Sequence, residues 1–360
     1  MKSALPQLFR PQLEKMSAYK VADASGFIKL DAMENPYSWS AELTQQWLET
    51  LRHSELNRYP DPEAKLLVNT LRKVYNIADN QGVILGNGSD EIIQLLLMAL
   101  PSSASVLAPA PSFVMYQQIA LSLGLRYHSV PLLANSFELD LAAMLATINQ
   151  YQPEIIFLAY PNNPTANLFA KADIQQIIEA SQGLVVIDEA YAPFANSSYM
   201  GKLGQHERLL VMRTVSKLGL AGLRLGYMTG NPFIIEQLNK IRLPYNINIL
   251  TQLTADFALS NPAIFEQQTQ KICTERALLL TQLNALEGIT AYPSAANFIL
   301  FHCQNSADTI FESLKQQGVL IKNTSPQGGL LSQCLRVTVG KSEENKAFMR
   351  ALKNSLSCKG

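Results

Sequence analysis

The sequence predicts an α/β protein: a mostly parallel central sheet flanked by helices, plus a smaller α+β domain. Three observations carry this. Short apolar runs at 155–159, 184–187 and 209–212 have the continuous apolar texture of strands buried on both faces of a parallel sheet. Helical patterns alternate with them. After about residue 245 the texture changes: long helical stretches at 249–259 and 266–286 precede two strands, 297–301 and 334–339, around a helix at 308–317. The expected division is a large domain at 41–245, with an N-terminal arm at 1–40 joined to a small domain at 246–360.

Composition narrows the function classes. The 360 residues are 48% apolar, enough for a sizeable core. The formal net charge is zero, so nothing draws the chain toward nucleic acid or an anionic membrane. The longest apolar runs, such as 95–100, are far too short to span a bilayer, and residues 1–20 lack the apolar core of a secretory signal. Cys273, Cys303, Cys334 and Cys358 are scattered without a CxxC, and the four histidines have no ligand-like spacing. Neither a metal site nor a disulfide framework is expected, and a reduced cytoplasm is the expected setting.

Taken in order, residues 1–40 are irregular and proline-punctuated, with a short strand candidate at 27–30. A helix is expected at 42–52, then an extended turn at 57–62 fixed by Pro60 and Pro62. The next helix, 63–75, places Leu66, Leu67, Thr70, Leu71 and Val74 on one side. A strand at 83–85 runs into Gly86, Asn87, Gly88, Ser89, Asp90 and Glu91, followed by a helix at 92–100. Ser89 suits an N-cap, and the free N–H groups of such a helix start form an anion site. Asp90 and Glu91 suit the helix dipole but would repel a phosphate, so their side chains are expected to point elsewhere. A strand at 106–108 leads through Pro109 and Pro111 to Phe113, whose ring reads either as core or as a face stacked on a flat heterocycle. Asn163 follows the strand 155–159 and precedes Pro164, which holds it extended. Asp188 closes an all-apolar strand, a costly place for a carboxylate without a cationic partner. Trp39 and Trp47 read as packing or dimer contacts. The last stretch, 341–360, reads as a solvated terminal helix.

After the strand 209–212 come Thr214, Ser216, Lys217, a small-residue turn and Arg224. A free lysine, with a pKa near ~10.4, is protonated and not nucleophilic at neutral pH. Crowding it out of water beside a cation such as Arg224 frees its lone pair. Thr214, Ser216 and Arg224 are chemically able to hold a phosphate. A lysine between phosphate ligands is what a pyridoxal phosphate (PLP) Schiff base requires. The bland alternative is a solvated lysine beside a capping arginine. The argument against it is convergence. The Gly86 loop, Phe113, Asn163, Asp188 and Lys217 all stand at strand carboxyl ends, where α/β sheets place their sites.

The runs Asn163-Pro164-Thr165, Asp188-Glu189-Ala190-Tyr191, Ser216-Lys217 and Arg224-Leu225-Gly226 resemble the fold-type I PLP-dependent aminotransferases over most of the chain. The runs 34–37, 58–61, 88–91 and 335–340 look like the histidinol-phosphate aminotransferase subfamily in particular. The resemblance implies transfer of an amino group between glutamate and histidinol phosphate, with PLP as cofactor, in a homodimer. Lys217 would bond the cofactor and act as the base. Asp188 would pair with the ring nitrogen, and Tyr191 and Asn163 with the ring hydroxyl. Phe113 would stack on the ring. The backbone around Gly88, Ser89 and Asp90, with Thr214 or Ser216 and with Arg224, would hold its phosphate, joined by Tyr59 of the neighbouring subunit. Arg336 would take a substrate carboxylate, Lys322 the substrate phosphate, and Tyr19 and Asn35 would line the substrate pocket. Three departures stand out. Ala166 occupies a position that is glycine in many relatives, the Lys217-to-Arg224 spacing is one residue shorter, and Lys322 replaces an arginine. The cofactor residues leave open another 2-oxo-acid aminotransferase, a decarboxylase of a phosphorylated amino acid, or a non-catalytic PLP-binding regulator.

Overall fold

The structure, a computed structural model, describes residues 8–18 and 22–357. In chain order the elements are β1 (Ile28–Lys29), α1 (Ala41–Leu51), α2 (Lys65–Tyr75), β2 (Gly82–Asn87), α3 (Ser89–Met98), β3 (Ser105–Ala110), α4 (Val114–Ser122), β4 (Arg126–Pro131), α5 (Leu141–Tyr151), β5 (Ile155–Ala159), α6 (Lys171–Ala180), β6 (Leu184–Asp188), β7 (Leu209–Thr214), β8 (Leu225–Gly230) and α7 (Pro232–Asn239). They continue as α8 (Ile249–Leu259), α9 (Pro262–Asn284), β9 (Ile289–Ala291), β10 (Phe298–Cys303), α10 (Ala307–Gln316), β11 (Val319–Leu320), β12 (Lys322–Asn323), β13 (Cys334–Thr338) and α11 (Ser342–Ser357).

A seven-stranded sheet in the order β2-β8-β7-β6-β5-β3-β4 forms the centre. From β7 through β4 the strands run parallel, and β8 is antiparallel to both of its neighbours. The apolar runs land where both faces are covered: every residue of β5 is buried. One core packs α3 and α4 under Val106, Phe157, Val186 and Met212. A second packs α5 and α6 on the other face, against Ile156, Leu158, Val185 and Ile187. A four-stranded antiparallel sheet, β12-β13-β10-β9, stands beyond residue 285. The segment near the N-terminus joins it through the β1–β11 pairing and the bond from Thr338 N to Leu30 O. Helix α8 packs against α1 and α2. Ala255, Ala258 and Leu259 share a core with Leu67 and Leu71.

Two helical expectations need correction. Leu66 stands exposed on α2, which buries Leu67 and Leu71 instead. The terminal helix α11 is not a solvated tail: Phe348, Met349, Ala351 and Leu352 are buried against α9, α10 and β10. Its polar face hides an apolar stripe of helical period. Trp39 and Trp47 pack edge to face, with centroids 5.8 Å apart.

Because Phe348 is wholly enclosed, Phe348→Ala should destabilise the protein by about 3–5 kcal/mol. Urea denaturation reads this directly, and a loss under about 1 kcal/mol would show α11 to be peripheral.

Candidate active site

The carboxyl ends of β3, β5, β6 and β7 and the amino end of α3 surround one cavity. Its walls include Ser89, Asp90, Phe113, Asn163, Asp188, Tyr191, Thr214, Ser216, Lys217 and Arg224, with Met33 from the N-terminal side. Residues more than a hundred positions apart thus meet at the place where parallel sheets bind ligands.

Lys217 sits in a short 3-10 turn, Ser216–Leu218, directly after β7. Its Nζ donates to Ala32 O at 3.2 Å and lies 5.8 Å from the centre of the Tyr191 ring. Burial, and then the positive fields of Arg336 and Arg224, bring its amine down to about 8 against the opposing carboxylates of Glu34 and Asp90. Arg224 was expected as the neighbouring cation, but Arg336 acts more strongly.

Asp188 ends β6 inside the protein. Burial pushes its carboxyl up to about 6, although two hydrogen bonds favour the charged form. They come from Tyr116 Oη at 2.6 Å and Ala190 N at 3.0 Å. Both donors are neutral, so the charge still calls for a cationic partner. Tyr116 was missed as a functional residue; its nearness in sequence to Phe113 was the available signal. Phe113 packs edge to face on Tyr116 at 5.5 Å and forms part of the cavity wall.

Asn163 lies between two site residues. Its Nδ2 donates to Tyr191 Oη at 3.1 Å, and its Oδ1 accepts from Arg336 Nη1 at 2.7 Å. Arg336 also donates to Asp31 O at 3.0 Å. Ala166 has φ 64°, a left-handed conformation that favours glycine.

At the other end, Gly88 rather than Ser89 is the N-cap of α3, and Ser89 opens the helix. The free N–H groups of this first turn lie beside Thr214, Ser216 and Arg224. Thr214 Oγ1 donates to Ser216 Oγ at 2.9 Å. Gly226 permits the close packing here, since a Cβ on it would stand 2.6 Å from Ser89 N. Glu91 points away, accepting from Asn87 N and Asn246 Nδ2. Asp90 does not: it lines the cavity and pairs with Arg224 at 3.5 Å. Helix geometry alone sets that direction, because adjacent residues on a helix face different ways.

Three expected substrate residues are placed differently, and one lies outside the described residues. Tyr59 is 81% exposed and stacks on Tyr245 at 4.5 Å, away from this chain's cavity. Asn35 does not line the cavity, because its amide is occupied by Leu218 O, Gln268 and Tyr37 N. Lys322 is not on the cavity wall. It is the register partner of Arg336, which places the two side chains on one face of the smaller sheet. Tyr19 falls in the undescribed residues.

A buried carboxylate, an amine of lowered proton affinity and a helix start beside an arginine, all in one cleft, suit a PLP-dependent enzyme. The sequence profile of "Aminotransferase class I and II" matches residues 25–352, and the chain belongs to this family. It is 54% identical to histidinol-phosphate aminotransferase 2 of Nitrosococcus oceani, over 98% of both chains. The enzyme of that name from Chromobacterium violaceum is 47% identical, covering 98% of this chain and 99% of its own length. The fold matches the structure of histidinol-phosphate aminotransferase from Sinorhizobium meliloti in complex with pyridoxal-5'-phosphate, with TM-score 0.86 and 21% identity over 97% of each chain.

Placing Asp188 in apolar surroundings costs stability in the apoprotein. Its carboxyl titrates near 6 in the fold, against about 3.9 in the unfolded chain. Between those values the folded state keeps a proton that the unfolded chain has released. Stability therefore falls as pH rises from about 4 to 6. Asp188→Asn should remove that decline and stabilise the apoprotein at pH 7 by up to about 3 kcal/mol. Urea midpoints across pH, measured for both proteins without PLP, check it; parallel curves would refute the assignment.

Proposed function

We propose that the protein catalyses transamination between histidinol phosphate and 2-oxoglutarate in L-histidine biosynthesis, as a cytoplasmic homodimer using PLP. The carrying observation is the joining of Lys217, Asp188, Asn163, Tyr191 and Arg224 in one cavity. The end-to-end likeness to enzymes of that name supports the choice of substrate.

The residues fit the cofactor chemically. The first-turn N–H groups of α3, the hydroxyls of Thr214 and Ser216, and Arg224 make a dianion site. Asp188 supplies the acceptor for a protonated ring nitrogen, whose charge would balance it. Tyr191 and Asn163 offer a hydroxyl and an amide to the ring oxygen, and Phe113 offers an aromatic face. When bound, PLP supplies the electron sink for a carbanion at the substrate Cα. Lys217 would hold the cofactor covalently, and its amine would serve as the base that takes and returns a proton at the substrate Cα. Its amine is suited to that work because burial has already lowered its affinity for protons.

Arg336 and Lys322, side by side on β13 and β12, provide two cations for two anionic substrates. Arg336 takes the carboxylate of glutamate bidentately, and Lys322 assists with phosphate as a point charge. Tyr59, exposed here, would complete the site of the second protomer.

Purified protein given PLP should gain a near-visible absorption band that changes with glutamate. Lys217→Ala should lack the covalent band and lose about 10³-fold in kcat. Histidinol phosphate should be turned over in preference to phenylalanine and tyrosine. Preference for the unphosphorylated amino acids would reject this substrate, and absence of any band would reject the cofactor reading.

A further inference from the structure

The turn that carries Lys217 is held from outside the large sheet. Asn35 Nδ2 donates to the carbonyl of Leu218, the residue after the lysine, at 3.1 Å. The same nitrogen donates to Gln268 Oε1 on α9 at 2.8 Å, while Asn35 Oδ1 accepts from Tyr37 N at 2.9 Å. Gln268 is 2% exposed, and its Nε2 reaches Ser38 O at 3.3 Å. Both Nδ2 hydrogens and the Oδ1 of Asn35 are thus committed, to two distant parts of the chain and to its own segment.

Two further features converge on this contact. Gly219 adopts φ +118°, and a Cβ there would stand 3.0 Å from Asn35 Nδ2, so a side chain would crowd the amide. The same N-terminal segment also receives the lysine's far end, because Ala32 O accepts from Lys217 Nζ at 3.2 Å. Between these points Met33 is tied down twice. Its N donates to Thr338 Oγ1 at 2.9 Å, and its O accepts from Asn297 Nδ2 at 3.0 Å. Residues 32–35 therefore form a strap that holds the Lys217 turn at the Leu218 carbonyl and at the lysine amine and is anchored on β13 and α9.

We propose that Asn35 and Gln268 are positioning residues for Lys217: the strut from α9 through Asn35 to the Leu218 carbonyl fixes where the amine stands. The inference rests on the reading that Lys217 is the covalent and proton-transferring residue. A carbonyl at the end of a one-turn 3-10 element needs a donor from elsewhere, and Asn35 provides it. Displacement of a reacting group by about 1 Å can cost on the order of 10²-fold in rate.

The test compares wild type with Asn35→Ala, Gln268→Ala and the double variant. In the apoproteins, competitive acetic anhydride labelling read by mass spectrometry gives the pH at which the Lys217 amine is half reactive. The charged groups facing that amine, Arg336, Arg224, Glu34 and Asp90, are unaltered in every variant. A loosened turn admits water, so the half-labelling pH should rise by about one unit in both single variants. In the PLP-loaded enzymes kcat should fall about 10- to 100-fold with KM for glutamate held within about two-fold. The double variant should be no worse than the poorer single one.

An unchanged labelling pH would overturn the proposal. So would a raised KM with intact kcat in Asn35→Ala, which would place Asn35 against substrate. If Asn35→Ala does not fold, Gln268→Ala decides by the same two criteria. A wild type that gains no band with PLP defeats the proposed function instead; a normal wild type with wild-type-like variants defeats this inference alone.

Discussion

The structure depends on keeping water away from one amine. A lysine at the surface is an ammonium ion, and only a desolvated one competes as a nucleophile at neutral pH. Lys217 meets that condition because β7 delivers it to the sheet's carboxyl edge, where the smaller sheet and the N-terminal strap close over it. Arg336, contributed by the smaller sheet, is the strongest positive field on the amine. The amine's surroundings therefore draw on both sheets, although the lysine itself follows a strand of the larger one.

Burial has opposite consequences for the acid and the amine. It raises the proton affinity of Asp188 and lowers that of Lys217. Each shift disfavours a charge, and each is a cost to folding that a ligand with complementary charge can offset. Glu189, next in sequence to Asp188, shows the contrast. It faces the other way, is fully buried, and is held by Arg213 at 2.7 Å and by Ser198. One carboxylate of the adjacent pair has its cation inside the protein. The other is left for the cleft, and that asymmetry distinguishes a structural acid from a functional one.

Much of this was legible in the sequence, and the reasons for the rest are physical. Strands buried on both faces carry continuous apolar runs, so β5, β6 and β7 were visible, and so were the residues just beyond them. The edge strand β4, Arg126–Pro131, is mostly exposed and has no such run. Helix α11 hid its buried stripe among lysines and glutamates. Motif positions do not report side-chain direction: Asn35 stands near the site by sequence logic, yet its amide supports the Lys217 turn. Tyr116 and Arg336 show that a shift in proton affinity depends on partners met only in three dimensions.

At the amino end of α3 the cleft holds a weak ion pair between Arg224 and Asp90. Arg224 has φ 49°, and its side chain is about half exposed at 51%. Its partner Asp90 is pushed toward protonation by burial, against the pull of Arg224 and Lys217. A pair at 3.5 Å whose side chains are both only partly covered contributes little, on the order of 0–1 kcal/mol. A phosphate dianion offers Arg224 shorter, charge-assisted bonds and meets the N–H groups of α3 at the same time. Exchanging Asp90 for phosphate would therefore cost little and gain several bonds. Asp90 would then serve as a stand-in anion that keeps the guanidinium beside the helix start.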